Sequence, residues 1–141
     1  SFLGTPVDEF AQYRTDASKY YVYLPGEITL IKAEIYARQN DLATALTHVN
    51  TVRTKTTDAA GIGAGLAAKT AGQLSTQALM LDEIYNQRYY EFFISGLRWG
   101  DTRRFGKAGP NDPSPSRTRN WFPYPDAERL SNPNTPADPP L

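Results

Sequence analysis

The sequence lacks the residues on which several kinds of functional site depend. Its 141 residues include no cysteine, which excludes disulfides, iron–sulfur clusters and cysteine-ligated zinc. A single histidine, His48, excludes a multi-histidine metal site, and a Ser-His-Asp triad would have to use it. Fifteen basic residues balance fifteen acidic ones, so no net charge attracts nucleic acid. No apolar run approaches the ~18 residues that a membrane helix needs.

The residues that are present are typical of one folded domain. The composition is 40% hydrophobic and 21% charged, which is too apolar for disorder along the whole chain. It leaves a binding or structural protein, or an enzyme that works with carboxylates alone. No cofactor is expected.

Hydrophobic periodicity predicts three helices. Apolar residues recur every three or four positions over 27–38, 41–56 and 76–99. The tight polar turn at 39–41 makes the first two helices an antiparallel hairpin. The third helix is apolar almost all round, which predicts a long helix buried on more than one side.

The ends of the long helix carry their own signals. Ser75 or Thr76 is the expected N-cap. Gly96 and Gly100 mark a kink, a close packing contact or the helix end.

Two other segments are set apart by composition. Residues 58–75 are rich in glycine and alanine and predict a flexible loop, whereas residues 106–141 form a proline-rich tail. Prolines beside Phe122 and Tyr124 favour an extended strap, anchored to the helices by these rings and by Trp121. Stacking of the same rings on a sugar is the alternative.

The hairpin at 27–56 resembles a tetratricopeptide unit, with small residues such as Ala33 and Ala45 where two helices would cross. The sequence therefore predicts an all-α fold: a tetratricopeptide-like helical hairpin, a long buried helix and an extended Pro-rich C-terminal strap. Such repeats bury a continuous core only with neighbours. If the chain is part of a longer protein, we expect an exposed apolar patch of more than ~400 Å² on these helices.

Three segments in order resemble the C-terminal part of the SusD/RagB family. The first is Leu-Ile-Lys-Ala-Glu at 30–34, followed by a turn, Ala-Leu at 45–46 and Asn-Thr-Val-Arg at 50–53. The second is the Ile-Tyr-Asn-Gln-Arg-Tyr-Tyr-Glu-Phe-Phe-Ile-Ser-Gly-Leu-Arg-Trp-Gly-Asp-Thr-Arg-Arg run at 84–104. The third is Phe-Pro-Tyr-Pro-Asp-Ala-Glu at 122–128, then Asn-Pro-Asn at 132–134. One departure is Gln87, where the family usually has glutamate.

The resemblance implies what residues 1–141 are: the C-terminal helical, tetratricopeptide-like portion of an outer-membrane nutrient-binding lipoprotein. The parent protein would bind an oligosaccharide or other nutrient at the cell surface and deliver it to a SusC-like TonB-dependent transporter. Its membrane contact would be an N-terminal lipid anchor absent from this chain, and it would be no enzyme. The resemblance identifies no ligand-binding residues. A tetratricopeptide-like protein–protein interaction module is the alternative.

Charged residues on the third predicted helix and just beyond its end decide between binding and catalysis. Glu91 and Asp101 would form a glycosidase acid/base pair in one interpretation. In the other, they pair with Arg88, Arg98 and Arg104, three residues away along the helix. We expect the second arrangement, because arginine keeps a carboxylate ionised whereas a general acid must hold a proton. His48 is expected to be an exposed or half-exposed helix residue, and Asn50 and Arg53 are expected to tie helices or loops together.

Overall fold

A computed structural model of the chain describes residues 21–58, 62–92, 95–109, 115–116, 119 and 121–137. Within these ranges the chain forms helices and no strand, which confirms the all-α fold. The helices are α1 (Pro25–Arg38), α2 (Leu42–Arg53), α3 (Gln77–Glu91), α4 (Arg98–Arg104) and α5 (Asp126–Ser131). The chain divides into two compact units, Ser1–Gly96 and Leu97–Leu141.

The predicted hairpin is present, with shifted ends. α1 begins at Pro25, earlier than the predicted residue 27, because a proline in the first turn has a preset φ and lacks only an N–H that the helix does not use. Asn40, with a φ of 63°, makes the turn, and asparagine tolerates this left-handed conformation. The Asp41 carboxylate caps α2 by accepting a hydrogen bond from the Thr44 N–H at 3.1 Å. Hydrogen bonding with Thr44 lowers the pKa of Asp41.

The first unit is built on mutual contacts of α1, α2 and α3. Small side chains of the hairpin are fully buried, as expected where helices approach closely: Ala33, Ala37, Ala45 and Val49. A second set of buried side chains joins the segment before α1 to the ends of α2 and α3: Leu24, Leu30, Val52 and Phe92.

The prediction of one long helix over 76–99 is wrong. α3 ends at Glu91, and α4 begins at Arg98. The Ser95 N–H and hydroxyl both donate to the Phe92 carbonyl, at 3.0 and 2.7 Å. Gly96 then has a φ of 80°, which a continuing helix cannot contain. Of the two glycines flagged in the sequence, Gly96 therefore lies in the break between α3 and α4, whereas Gly100 lies inside α4.

Neighbouring side chains satisfy the helix ends of the first unit. The Thr76 hydroxyl accepts a hydrogen bond from the Leu79 N–H at 3.2 Å, so Thr76 rather than Ser75 caps α3. Gln77 donates from Nε2 to the carbonyls of Ala37 and Arg38, at 2.9 and 3.1 Å. The start of α3 thus covers the last carbonyls of α1, which have no partner within their own helix.

Residues 62–70 of the Gly/Ala-rich segment are bonded to α2. The Asn50 side chain donates to the Lys69 carbonyl at 2.9 Å and accepts from the Lys69 N–H at 2.8 Å. Arg53 donates from Nε to the Ala67 carbonyl at 2.6 Å. The expectation that Asn50 and Arg53 tie helix to loop is confirmed.

The extended strap predicted for the tail is not confirmed. Residues 126–131 form α5 instead. Pro125 precedes the helix, no proline interrupts it, and Asp126 and Glu128 place negative charge in its first turn, where the helix dipole favours it. The Asn132 amide donates to the Glu128 carboxylate at 2.6 Å, and the Asn134 N–H donates to Asn132 Oδ1 at 3.0 Å. The closing Asn-Pro-Asn motif therefore ends α5.

One side of α1 remains apolar and exposed. Ile28, Ile31 and Ile35 are 48%, 40% and 49% exposed, and their spacing places them along one side of the helix. Exposed apolar side chains are thus present on the predicted hairpin, while the area of the expected patch stays a prediction.

Candidate functional site

One charge cluster of the first unit consists of Lys55, Asp58 and Glu91, of which Glu91 is buried and the other two are half-buried. Lys55 Nζ lies 2.5 Å from Glu91 Oε1 and 2.8 Å from Asp58 Oδ2. The Glu91 side chain is only 3% exposed, and it lies against Gly26 in the first turn of α1, where an added Cβ would overlap the carboxylate. The cluster therefore holds together the start of α1, the chain after α2 and the end of α3.

Two opposing effects set the pKa of Lys55. Burial alone would lower the pKa of this ammonium group, but the hydrogen bonds to Asp58 and Glu91 and the charges of both carboxylates outweigh burial and raise the pKa above its ordinary value. Lys55 is therefore a cation held by its acids, and it is unsuited to act as a base.

A second set of polar side chains joins α2 to α3, with Glu83 and Gln87 buried and Arg53 half-buried. Arg53 Nη1 is 2.7 Å from Glu83 Oε1, and Gln87 donates from Nε2 to the same oxygen at 2.8 Å. An ionised glutamate at position 87 could not donate this hydrogen bond. Glutamine therefore suits this position, where the family that the sequence resembles usually has glutamate. Gln87 is 1% exposed, so this group is structural.

The two carboxylates considered for catalysis are both ion-paired. Asp101 is buried and lies 2.9 Å from Arg104 Nη2, one turn along α4, as predicted. The prediction of an arginine partner for Glu91 is wrong, because its partner is Lys55. Arg88 is buried with its guanidinium 4.7 Å from the centroid of the Phe92 ring. Spacing along one helix could not reveal Lys55, which lies two residues after the end of α2.

His48 is half-buried and stacks on Tyr36 of α1, with ring centroids 5.6 Å apart and planes 13° from parallel. It is the half-exposed helix residue that the sequence predicts. Its ring helps to join the two helices of the hairpin.

The second unit carries an arrangement that the sequence did not predict, here called the aromatic–arginine surface: Trp99, Arg103, Arg119, Trp121 and Phe122. The Trp99 and Phe122 rings pack with centroids 4.4 Å apart. The guanidinium of Arg103 lies 4.8 Å from the Trp99 ring centroid, and that of Arg119 lies 5.4 Å from the Trp121 ring centroid. Trp99 donates from Nε1 to the Arg119 carbonyl at 3.1 Å. Each arginine thus lies over an aromatic ring, and Trp99 contacts Arg103, Phe122 and the Arg119 backbone.

The aromatic–arginine surface is open. Phe122 is 72% exposed, and Tyr124 nearby in sequence is 44% exposed. Arg103 and Arg119 are exposed as well. Phe122 contacts Trp99 of α4, as expected of a residue that anchors the tail to a helix, but it presents most of its ring to solvent.

Other kinds of site find no support in the residues that the structure describes. No group of three or more histidine or acidic residues among them could hold a metal ion. None of the described helices has the length and apolarity needed to cross a membrane.

Comparison with known proteins supplies the family. A sequence model of the SusD family matches residues 6–135. The chain belongs to the SusD family. Members of the SusD family are helical proteins that bind glycans or other nutrients at the surface of the outer membrane, and they are binding proteins rather than enzymes. No curated protein and no solved structure gives a significant match to this chain.

Proposed function

We propose that this chain is part of a cell-surface lipoprotein that captures a glycan or other nutrient and delivers it to a SusC-like TonB-dependent transporter in the outer membrane. The observation that carries the proposal is the match to the SusD family over residues 6–135. The motifs at 30–53, 84–104 and 122–134 lie within the matched range, and their residues contribute to all five described helices.

Binding without catalysis agrees with the state of the carboxylates. A glycosidase needs one carboxylic acid that holds a proton beside one carboxylate that stays ionised. Glu91 is buried against Lys55, and Asp101 is buried against Arg104. Each acid is thus committed to a cation within the fold, and neither is placed to protonate a leaving group.

The test measures binding and cleavage in the same samples. Oligosaccharides are titrated into the protein by calorimetry, and newly formed reducing ends are assayed after each titration. We expect saturable binding with no release of reducing ends. Release that is lost in both Glu91→Gln and Asp101→Asn would instead support a glycosidase.

Delivery is tested separately in the outer membrane. The tagged full-length protein is purified from detergent-solubilised membranes, and co-purifying proteins are identified. We expect a TonB-dependent barrel in stoichiometric amount. Recovery of a soluble protein partner alone, with no glycan binding, would favour the interaction-module alternative, which the exposed isoleucines of α1 support.

A further inference from the structure

We propose that the aromatic–arginine surface binds an acidic sugar of a glycan, with the sugar ring against Phe122 and the carboxylate on Arg103 and Arg119. This proposal rests on the proposed function, since it names the class of ligand and the place where it binds. The sequence offers sugar stacking on Trp121 and Phe122 only as an alternative, and it assigns no role to Arg103 or Arg119.

Phe122 supplies a stacking face that is already held in place. Its ring is 72% exposed yet packs at 4.4 Å between centroids on Trp99. Trp99 is itself fixed by its hydrogen bond to the Arg119 carbonyl. Aromatic rings attract the weakly polar C–H face of a pyranose, and a ring fixed beforehand loses little conformational entropy on binding. An exposed, positioned ring is therefore suited to a sugar.

The arginines determine which sugar fits. Arg103 and Arg119 lie over aromatic faces, an arrangement that leaves the N–H groups at the edge of each guanidinium available. The described acid closest in sequence to Arg103 is Asp101, which is paired with Arg104. A guanidinium binds a carboxylate through two parallel hydrogen bonds. A uronic acid satisfies both the ring and the arginines, whereas a neutral sugar satisfies the ring alone.

The chain has fifteen basic and fifteen acidic residues, so its net charge does not attract polyanions in general. A preference for an acidic sugar over a neutral one cannot come from net charge. Recognition must come from the local combination of ring and guanidinium. The proposal therefore requires that charge without a sugar ring bind poorly.

The test compares three probes on the full chain: oligogalacturonate, its neutral methyl ester, and oligoglutamate of the same charge. We expect oligogalacturonate to bind about tenfold or more tighter than its ester, since a charge-assisted pair contributes on the order of one decade in affinity. Added salt should weaken oligogalacturonate binding and leave the ester unaffected. Equal binding of acid and ester, or equal binding of oligoglutamate, would overturn the proposal.

Variants locate the site. Phe122→Ala should weaken both sugars by a similar factor, whereas Arg103→Gln should weaken oligogalacturonate about tenfold and leave the ester unchanged. Tyr23→Ala and Lys32→Gln are matched controls, because both residues are exposed in the other unit. Circular dichroism checks that each variant is folded. If a sugar binds but neither Phe122→Ala nor Arg103→Gln changes its affinity, this proposal is overturned and the proposed function stays intact. Failure of every oligosaccharide, neutral or acidic, to bind would overturn both.

Discussion

At the residue scale, the buried carboxylate of Glu91 dictates what its neighbours can be. Its side chain is 3% exposed and meets Lys55 Nζ at 2.5 Å. A buried charge that loses its partner is costly, on the order of 3–5 kcal/mol. A Cβ at position 26 would overlap the Glu91 carboxylate, so that the Glu91 side chain would have to shift.

Gly26→Ala is expected to lower the free energy of unfolding, although alanine normally stabilises a helix relative to glycine by about 1 kcal/mol. Urea denaturation measures the change. The Glu91→Ala background removes the overlap, and there the same substitution should cost little.

Gly100→Ala is the matched control for this prediction. Gly100 lies within α4, and no atom lies within 4 Å of an added Cβ. We expect it to stabilise the chain by about 0.5–1 kcal/mol. Equal effects at positions 26 and 100 would contradict the assigned role of Glu91.

The raised pKa of Lys55 predicts that the protein loses stability at alkaline pH. Its folded-state pKa is raised, chiefly because bonds to Asp58 and Glu91 outweigh the effect of burial. The contribution is therefore complete below the ordinary lysine pKa of about 10.4 and is lost as the pH rises through the folded-state value. The urea midpoint should fall above about pH 10. That fall should be smaller in Lys55→Met and unchanged in Lys32→Met, an exposed lysine of α1.

At the scale of elements, side chains from one element complete the ends of another. Gln77 of α3 donates to the last carbonyls of α1, and Asn50 of α2 holds both backbone groups of Lys69. Backbone groups at helix ends and in loops need such partners when they are removed from water. The relative positions of α1, α2, α3 and the segment around Lys69 are therefore fixed by polar bonds as well as by apolar packing.

The cap of α3 distinguishes two adjacent hydroxyls. Thr76→Ala should reduce the free energy of unfolding by about 1 kcal/mol, because the Leu79 N–H loses its acceptor. Ser75→Ala, one residue earlier and exposed, should change it by less than about 0.5 kcal/mol. Thermal denaturation of both variants checks the prediction, and a larger effect at Ser75 would contradict it.

Asn50→Ala should release the segment at 62–70 from α2. Both hydrogen bonds to Lys69 would be lost, so the Lys69 amide should exchange faster with deuterium. Thr51→Ala is the control, because the Thr51 hydroxyl bonds only the α2 backbone, at the Thr47 carbonyl. Unchanged exchange at Lys69 in Asn50→Ala would show that other contacts hold the segment.

The sequence predicts those elements whose signals are local. Periodicity identifies the hairpin, and Asn40 and Asp41 mark its turn, because period and turn chemistry depend only on nearby residues. The break between α3 and α4 was missed because large apolar residues continue through it. α5 was missed because the surrounding prolines obscure the six proline-free residues of Asp126–Ser131.

The site residues were less predictable for a related reason. Asp101 and Arg104 are three residues apart on one helix, so spacing identifies the pair. Lys55 and Glu91 are 36 residues apart, and Trp99 reaches a carbonyl 20 residues away. Such contacts depend on how the elements pack, which neither periodicity nor motif spacing encodes.

At the scale of the whole molecule, adjacent residues of α1 separate core from surface. Leu30→Ala should reduce the free energy of unfolding by about 2–5 kcal/mol, because Leu30 is fully buried. Ile31→Ala should cost less than about 1 kcal/mol, since Ile31 is 40% exposed. Chemical denaturation measures both. A comparable loss at Ile31 would mean that another part of the protein covers this side of α1.

Glu91 also has a consequence for how the first unit opens. Helix ends normally fray independently, each with its own small opening free energy. Here the first turn of α1, the chain just after α2 and the last residue of α3 meet at one carboxylate. None of the three can open without exposing a charge on which the other two depend. We therefore expect these ends to fray cooperatively, so that amides at all three exchange with a common opening free energy.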